Sequence, residues 1–189
     1  MVENRFFETI KCDDYSVFNL DYHNKRIARS IGININLQEY IYPPSKELLK
    51  CKVIYNFDGI ISIEYTPYIK KNISSFKLIY NDNITYHKKF LNRNVINTLK
   101  ENISEDEIIL IQNGLVTDTS IANIAIYHNN QWITPINPLL VGTTTSRYID
   151  NGLIISKDID VKMIVESKKI ALLNAMIDFN ILDNFKIYK

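Results

Sequence analysis

The hydrophobic positions in the first third of the chain recur with two different periods. Phe6–Ile10 is an apolar, strand-like run, whereas the apolar positions between residues 20 and 31 recur every three or four residues, as on one face of a helix. Gly32, directly after this stretch, is typical of a helix C-terminus. Two further strand-like runs, Cys51–Tyr55 and Ile60–Tyr65, flank a turn and predict a hairpin. This part of the chain therefore combines strands with one amphipathic helix.

The rest of the chain alternates strand signals with helix signals. Leu91, Val95 and Leu99 stand at i, i+4 and i+8, which predicts an amphipathic helix that begins just after Lys89. Gly142 precedes a threonine-rich segment that predicts another helix. The strand-like runs of this part are Lys77–Tyr80, Ile108–Ile111, Ile124–Tyr127, Trp132–Thr134 and Lys169–Leu173. The mixture predicts an α+β fold.

A polar stretch over residues 67–75 divides these two parts and is typical of a linker. We therefore expect two lobes, a small N-terminal one over residues 1–72 and a larger one over residues 73–189. The larger lobe contains most of the strand signals and is expected to bind any cofactor.

Composition and charge argue against several classes of protein. The 189 residues are 46% hydrophobic, which is enough for a core without disulfides or metals. Lys and Arg number 22 and Asp and Glu 21, so a net charge of +1 gives no large positive field for nucleic acid or anionic membranes. Cys12, Cys51 and the three histidines lack metal-ligand spacing, and we expect both cysteines to be reduced. Met1–Arg5 lacks the apolar run of a signal peptide, so we expect a cytoplasmic protein.

Six groups of short motifs occur along the chain. In order they are Phe7-Glu8-Thr9, His23-x-x-Arg26-Ile27-x-x-Ser30, Lys89-Phe90-Leu91-Asn92-Arg93, Asn113-Gly114-Leu115-Val116-Thr117-Asp118 with Asn123-Ile124, Thr134-Pro135 with Leu139-Leu140-x-Gly142-Thr143-Thr144, and Asn174-Ala175. In this order the motifs resemble the class IV aminotransferase family, the pyridoxal-phosphate enzymes of fold type IV. That family includes branched-chain and D-amino-acid aminotransferases and aminodeoxychorismate lyase.

The resemblance implies a two-lobed class IV aminotransferase-like (D-amino-acid aminotransferase-like) fold. The chain starts close to the Phe7-Glu8-Thr9 motif and has little sequence between Ser30 and the strand at Cys51. We therefore expect the N-terminal lobe to be reduced. Members of the family are usually homodimers with the cofactor in the cleft between the lobes, so the resemblance also implies a homodimer.

The resemblance assigns the central chemistry to Lys89, which corresponds to the lysine that carries pyridoxal phosphate as a Schiff base. An amine suits this position because it forms an imine with an aldehyde and then moves the proton at the substrate α-carbon. The predicted helix after Lys89 would place a positive helix end near the amine and lower its pKa. Lys88 stands beside it, and residue type alone does not distinguish the two.

The resemblance also implies roles for residues around the cofactor. Arg26 corresponds to the arginine that binds the phosphate, and Thr143 and Thr144 would add donors at a helix N-terminus. Asp118 corresponds to the carboxylate that meets the pyridine nitrogen, where the family usually has the longer glutamate. Asn123 is expected to order the loop after Asp118. The complete cofactor-binding set is Arg26, Lys89, Asp118, Asn123, Thr143, Thr144, Asn174 and Ala175, and no metal is expected.

Three functions remain open at this point, each with a small-molecule amino substrate or none. The first is a lyase that converts 4-amino-4-deoxychorismate to 4-aminobenzoate and pyruvate for folate synthesis, which the Lys-x-Leu-Asn-Arg and Asn-Ala motifs favour. The second is an aminotransferase for branched-chain or D-amino acids. The third is a non-catalytic protein on the same scaffold.

Overall fold

The structure is a computed structural model and describes residues 5–189. The strands are β1 Phe6–Asp13, β2 Ser16–Val17, β3 Leu49–Asn56, β4 Gly59–Pro67, β5 Ser75–Tyr80, β6 Glu107–Gln112, β7 Leu115–Thr119, β8 Asn123–His128, β9 Gln131–Pro135, β10 Ile155–Lys157, β11 Ile170–Asn174, β12 Asp178–Leu182 and β13 Lys186–Tyr188. The α-helices are α1 Leu20–Ile31, α2 Asn94–Leu99, α3 Thr143–Asp150 and α4 Val161–Glu166. This content confirms the α+β class. None of the helices within residues 5–189 is long and apolar enough to cross a membrane.

The chain divides into two compact units. The first contains the described residues up to Lys70 together with Lys88–Asn92, and the second contains Lys71–His87 and Arg93–Lys189. The sequence predicts a boundary at residues 72 and 73, and the structure differs in that it groups Lys88–Asn92 with the first unit. Backbone hydrogen bonds explain the difference, because this short segment bonds to the first strand of the chain.

The first unit is a four-stranded antiparallel sheet with one helix packed against it. The strand order is β2-β1-β3-β4, and the β1–β3 register pairs Phe6 with Tyr55 and Ile10 with Cys51. Side chains two residues apart on a strand share a face, so alternate positions of β1 and β3 point into one core with the apolar side of α1. Both cysteines are free and buried in that core.

The helix α1 forms where the sequence predicts it, and its boundaries follow from local chemistry. Its buried positions include Ile27 and Ile31, and Asp21 lies in the first turn, where a negative charge is favourable. The helix ends at Gly32, which has a φ of 76° and donates its N–H to the Ala28 carbonyl at 2.8 Å. A glycine is favoured here because the left-handed conformation is costly for residues with a Cβ.

The helix predicted just after Lys89 begins later, at Asn94. The strand β2 pairs only with the end of β1, which leaves the edge of β1 near Phe7 open to another segment. Residues 88–92 occupy that edge, with Phe7 N–H bonded to the Lys89 carbonyl at 2.9 Å and Leu91 N–H to the Arg5 carbonyl at 2.8 Å. A helix cannot use these backbone groups at the same time, so Lys89 lies outside the helix, at the centre of a tight turn in which the Phe90 N–H bonds to the Lys88 carbonyl at 2.8 Å. The argument that a helix end lowers its pKa is therefore wrong.

The second unit contains two sheets with a shared core. One sheet has the order β13-β5-β6-β7 and the other β10-β9-β8-β11-β12. Apolar side chains of β5, β6, β8 and β11 meet in one cluster, which α4 also joins through Ile164. The opposite face of the five-stranded sheet is covered by a second cluster that includes Tyr148 of α3. The strands β7 and β8 and the start of α3, which carry candidate site residues, are therefore set on a packed scaffold.

Candidate active site

Lys88 and Lys89 are adjacent, but their ammonium groups have different surroundings. Lys88 Nζ donates a hydrogen bond to the Ser30 carbonyl at 2.8 Å and lies 5.8 Å from the ring centroid of Phe6. Lys89 Nζ lies 4.6 Å from the ring centroid of Phe7. Successive side chains of a strand point to opposite faces, so Phe6 and Phe7 of β1 lie on opposite faces of the sheet, and each lysine lies over a different one of the two rings. Lys88 thus places a positive charge at the C-terminal end of α1. Lys89 lies on the opposite face of the β1 sheet, beside Phe7.

Glu8 lies fully buried at the centre of a polar cluster in the first unit. Its carboxylate accepts a hydrogen bond from Arg26 Nε to Oε1 at 2.8 Å and a second, short one from the same guanidinium to Oε2. His23 Nδ1 lies 2.6 Å from Oε2. The helix α1 supplies both partners because residues three apart share one helix face. Arg26 is therefore held in a bidentate, buried ion pair.

Burial and mutual charge set the protonation states of this cluster. Burial alone would raise the pKa of Glu8, but the charge of Arg26 and the hydrogen bonds from His23 and Arg26 lower that pKa to about 2. Burial lowers the pKa of His23, and the positive charges of Arg26 and Lys89 act in the same direction. His23 is therefore neutral at pH 7 and donates its Nδ1–H to Glu8. Its Nε2 is buried and has no hydrogen-bond partner among residues 5–189.

Sequence reasoning quoted Glu8 in a motif but gave it no role. A signal was available in the alternation of β1, where Phe6, Ile10 and Cys12 are buried on one face and Glu8 stands at the corresponding position between them. A carboxylate at an inward strand position is rare unless it is paired. That rule would have predicted a buried cationic partner, which the structure identifies as Arg26.

Asp118, near the end of β7, has a buried carboxylate held by two donors in the second unit. Asn123 Nδ2 donates a short hydrogen bond to Oδ1, and the Leu140 backbone N–H donates to Oδ2 at 2.9 Å. Hydrogen bonds of this kind favour the charged carboxylate. The side chain is one methylene shorter than the glutamate that the resemblance implies, and its position is set by these two groups.

The first turn of α3 packs against Asn123. Thr143, Thr144 and Thr145 are all buried there, and Thr145 Oγ1 donates to Asn123 Oδ1 at 2.7 Å. A Cβ on Gly142 would lie 1.9 Å from Asn123 Oδ1, so only glycine fits directly before the helix. The close approach brings the amino end of α3, where backbone N–H groups lack acceptors within the helix, next to the Asn123 amide.

The turn that joins β7 to β8 is held by three side chains. Glu107 Oε1 accepts the Ser120 N–H at 3.1 Å, and the guanidinium of Arg93 donates a short hydrogen bond to the Ser120 carbonyl. Asn174 Nδ2 donates to the Ile121 carbonyl at 3.2 Å. Glu107 is itself buried and pairs with a lysine. Side chains at the start of β6, directly before α2 and at the end of β11 therefore hold this turn in place.

Asn174 also shapes the hairpin between β11 and β12. Its Oδ1 accepts the backbone N–H groups of Met176 and Ile177 at 2.9 and 3.1 Å. Ala175 lies within this turn, between the two strands. The Asn-Ala pair singled out in the sequence thus has a structural role in the turn, beside any role toward a ligand.

The eight candidate residues are divided between the two units. Lys89 and Arg26 belong to the first unit, and the remaining six belong to the second. Within the second unit, hydrogen bonds join Asp118, Asn123 and the start of α3, and Asn174 contacts the turn between Asp118 and Asn123. Sequence reasoning missed the Leu140 N–H, because a backbone donor from a loop 22 residues away leaves no mark in the sequence.

The chain is similar to known proteins in sequence and in structure. The family model described as "Amino-transferase class IV" matches residues 62–180. A "Putative aminodeoxychorismate lyase" of Schizosaccharomyces pombe is 26% identical, with 84% of this chain and 78% of that protein covered. An "Uncharacterized protein" of Haemophilus influenzae is 33% identical, with 90% and 96% covered.

Solved structures give the same result. The crystal structure of a "putative 4-amino-4-deoxychorismate lyase" from Haemophilus somnus is 32% identical, has a TM-score of 0.84, and is matched over 93% of this chain and 98% of its own. "A hypothetical aminotransferase from Mycobacterium tuberculosis, PLP-bound form" has the same fold, with a TM-score of 0.74 at 15% identity over 97% of this chain and 81% of its own. These likenesses confirm the predicted fold, and this chain belongs to the class IV aminotransferase family.

Proposed function

We propose that this protein is a pyridoxal-phosphate-dependent lyase that converts 4-amino-4-deoxychorismate to 4-aminobenzoate and pyruvate. The observation that carries the proposal is the 32% identity to the Haemophilus somnus protein over nearly the full length of both chains. The Schizosaccharomyces pombe relative, whose name states the same activity, supports it.

The chemistry of the candidate residues fits pyridoxal phosphate. The aldehyde needs an amine, and Lys89 places one beside the ring of Phe7, whereas Lys88 donates a hydrogen bond to the Ser30 carbonyl. The phosphate needs cations and N–H donors, which Arg26 and the first turn of α3 with Thr143 and Thr144 can supply. The pyridine nitrogen needs a carboxylate, and Asp118 is a buried one. Each of these residues was assigned by the family resemblance, and Arg26 would meet the phosphate while its guanidinium is also paired with Glu8.

When bound, pyridoxal phosphate supplies an electron sink for charge that develops at the carbon bearing the substrate amine. The amine of Lys89 would then take the proton from that carbon, C4 of the substrate ring. Loss of this proton and cleavage of the C3–O bond make the ring aromatic, and the three-carbon fragment leaves as enolpyruvate and becomes pyruvate. Atoms balance without a further reactant. Asp118 would hold a proton on the ring nitrogen of the cofactor, and Arg26 would anchor the phosphate.

An aminotransferase is the second candidate, because the matching family model carries that description. The two reactions share the lysine and differ in the product that leaves. A transaminase converts the bound aldehyde form of the cofactor to its amine form when an amino acid is added, whereas a lyase returns it unchanged. An absorbance change with a panel of branched-chain and D-amino acids would therefore favour the aminotransferase.

The identity of the lysine is tested by borohydride reduction of the protein loaded with pyridoxal phosphate, followed by peptide mapping. Reduction fixes the cofactor to the lysine that carries it, and we expect the label on Lys89. Lys88→Met is the matched control: it removes the hydrogen bond to Ser30 and should leave the label in place. A label on Lys88, or none, would contradict the cofactor assignment.

The reaction is tested by incubating the protein with chorismate, glutamine and the upstream synthase and measuring 4-aminobenzoate. We expect product with the wild type and with Lys88→Met. Lys89→Ala should lower the rate by at least about 100-fold, the lower range for loss of a positioned general base. No 4-aminobenzoate above background from a protein that carries the cofactor on Lys89 would exclude the lyase and leave the aminotransferase.

A further inference from the structure

The Asn123 amide makes hydrogen bonds in three directions. Its Nδ2 donates a short hydrogen bond to Asp118 Oδ1 and another to the Leu140 carbonyl at 2.8 Å, which uses both N–H bonds. Its Oδ1 accepts from Thr145 Oγ1 at 2.7 Å. Asn123 is 5% exposed, so water does not replace these partners readily. The amide orientation satisfies all three hydrogen bonds, since the nitrogen faces two acceptors and the oxygen faces a hydroxyl.

The loop before α3 closes the same network. The Leu140 N–H donates to the other oxygen of Asp118 at 2.9 Å, so residue 140 contacts both the carboxylate and Asn123. Two residues later, Gly142 approaches Asn123 so closely that an added Cβ would meet its Oδ1 at 1.9 Å. The side chain of Asn123 therefore contacts the carboxylate of Asp118, the loop before α3 and the first turn of α3.

We propose that Asn123 is a positioning residue that fixes the Asp118 carboxylate relative to the amino end of α3. The inference rests on the proposed function, in which Asp118 faces the ring nitrogen of the cofactor and the α3 turn faces its phosphate. Because one amide contacts both, Asn123 sets the spacing between a negative group and an anion-binding helix end. In this role Asn123 acts through these two groups.

The test compares Asn123→Ala, which removes all three hydrogen bonds, with Thr145→Val, which removes only the one to α3. Thr134→Val is the matched control: Thr134 is also a buried threonine of the second unit, and its hydroxyl donates to the Ile124 carbonyl at 2.8 Å, outside this network. Each of the three variants loses a buried hydroxyl or amide group. An effect that comes only from lower protein stability should therefore appear in Thr134→Val as well.

Cofactor binding is the first measurement. We expect Asn123→Ala to raise the Kd of pyridoxal phosphate by about 10- to 100-fold, the factor that corresponds to loss of a hydrogen bond to a charged group. The pH at which the absorbance of the bound cofactor changes should shift as well, because it reports on the Asp118 carboxylate. Thr145→Val should raise Kd less and leave that pH unchanged, and Thr134→Val should change neither. Wild-type Kd and absorbance in Asn123→Ala would overturn the proposal.

Hydrogen exchange of the protein without cofactor is the second measurement. We expect Asn123→Ala to accelerate exchange of the Leu140 amide and of Ser146, whose N–H bonds to Gly142 in the first turn of α3, by at least about tenfold, while Leu172 in the core of β11 stays protected. Equal protection of Leu140 in Asn123→Ala and the wild type would overturn the positioning role. If the wild type binds no cofactor, the proposed function fails, and the exchange result still decides the role of Asn123.

Discussion

At the scale of single residues, the feature with the clearest physical consequence is the buried carboxylate of Glu8. It is paired with Arg26 and hydrogen-bonded to a neutral His23, so all three side chains depend on one another's charge. A buried ion pair of this kind adds little net stability compared with an apolar pair, but loss of one partner is costly because the other charge is left unpaired. The cluster therefore makes folding sensitive to acid.

The free energy of unfolding should fall in two stages as the pH is lowered from 7. The pKa of His23 is lowered in the folded protein, so below its ordinary value of 6.5 the unfolded state binds a proton that the folded state does not. The pKa of Glu8 is lowered from 4.5 to about 2, so its contribution, present above pH 4.5, is lost as pH falls toward 2. That difference corresponds to about 3 kcal/mol. Urea unfolding at a series of pH values between 7 and 3 measures both stages.

A variant separates the two stages. His23→Asn keeps a side-chain N–H near Glu8 but does not titrate, so the loss of stability between pH 6.5 and pH 5 should become smaller while the loss below pH 4.5 remains. Identical pH dependence of the urea midpoint in His23→Asn and the wild type would show that folding does not lower the pKa of His23.

At the scale of elements, α1 and α2 show how local and long-range effects compete. The helix α1 has a periodic apolar face and a glycine at its end, and both signals agree with its position in the structure. The pattern at Leu91, Val95 and Leu99 predicted α2 too early. The segment before Asn94 bonds to β1, and Ile96 is the buried residue of the short helix. Backbone hydrogen bonds to a strand outweighed a weak helical pattern.

The end of α1 gives a prediction at this scale. Gly32→Ala should lower the free energy of unfolding by about 1 kcal/mol, because an L residue is strained in the left-handed conformation. Nothing lies within 4 Å of the added Cβ, so the cost is backbone strain alone. Gly32→Asn should cost less, since asparagine tolerates this conformation better. Lys25→Ala, at an exposed position of the same helix, should stay within about 0.5 kcal/mol. Equal losses for the alanine and asparagine variants at position 32 would contradict the explanation.

At the scale of the whole molecule, family membership explains the order of the motifs along the chain. The residues of the six motif groups fall on strands, helix starts and turns in both units, and their order follows the order of those elements. Four large apolar side chains in the connection from β9 to β10 are exposed: Ile136, Val141, Ile149 and Leu153.

We propose that the protein is a homodimer, as the family resemblance implies. Light scattering during size-exclusion chromatography should give twice the 22.1 kDa of one chain. The measurement should be made with and without pyridoxal phosphate and over a range of protein concentrations, because dimer stability depends on both. A single-chain mass at every concentration with the cofactor present would contradict the proposal.

The sequence by itself determined the features that depend on near neighbours. The periodicity and Gly32 of α1 and the hairpin around Phe57–Gly59 are local, so short windows of sequence were enough to predict them. The motifs also indicated the family, because they keep their residue types and their order.

Only the tertiary structure decided how the candidate residues are held. The pairing of Glu8 with Arg26, the hydrogen bond from Phe7 to the Lys89 carbonyl and the contact of Asn123 with Gly142 join residues that are 18 or more positions apart. Such contacts depend on how strands and helices pack, and a residue's own sequence window does not contain its partner. For this reason the sequence named Arg26, Lys89 and Asp118, and the structure showed which groups fix each of them.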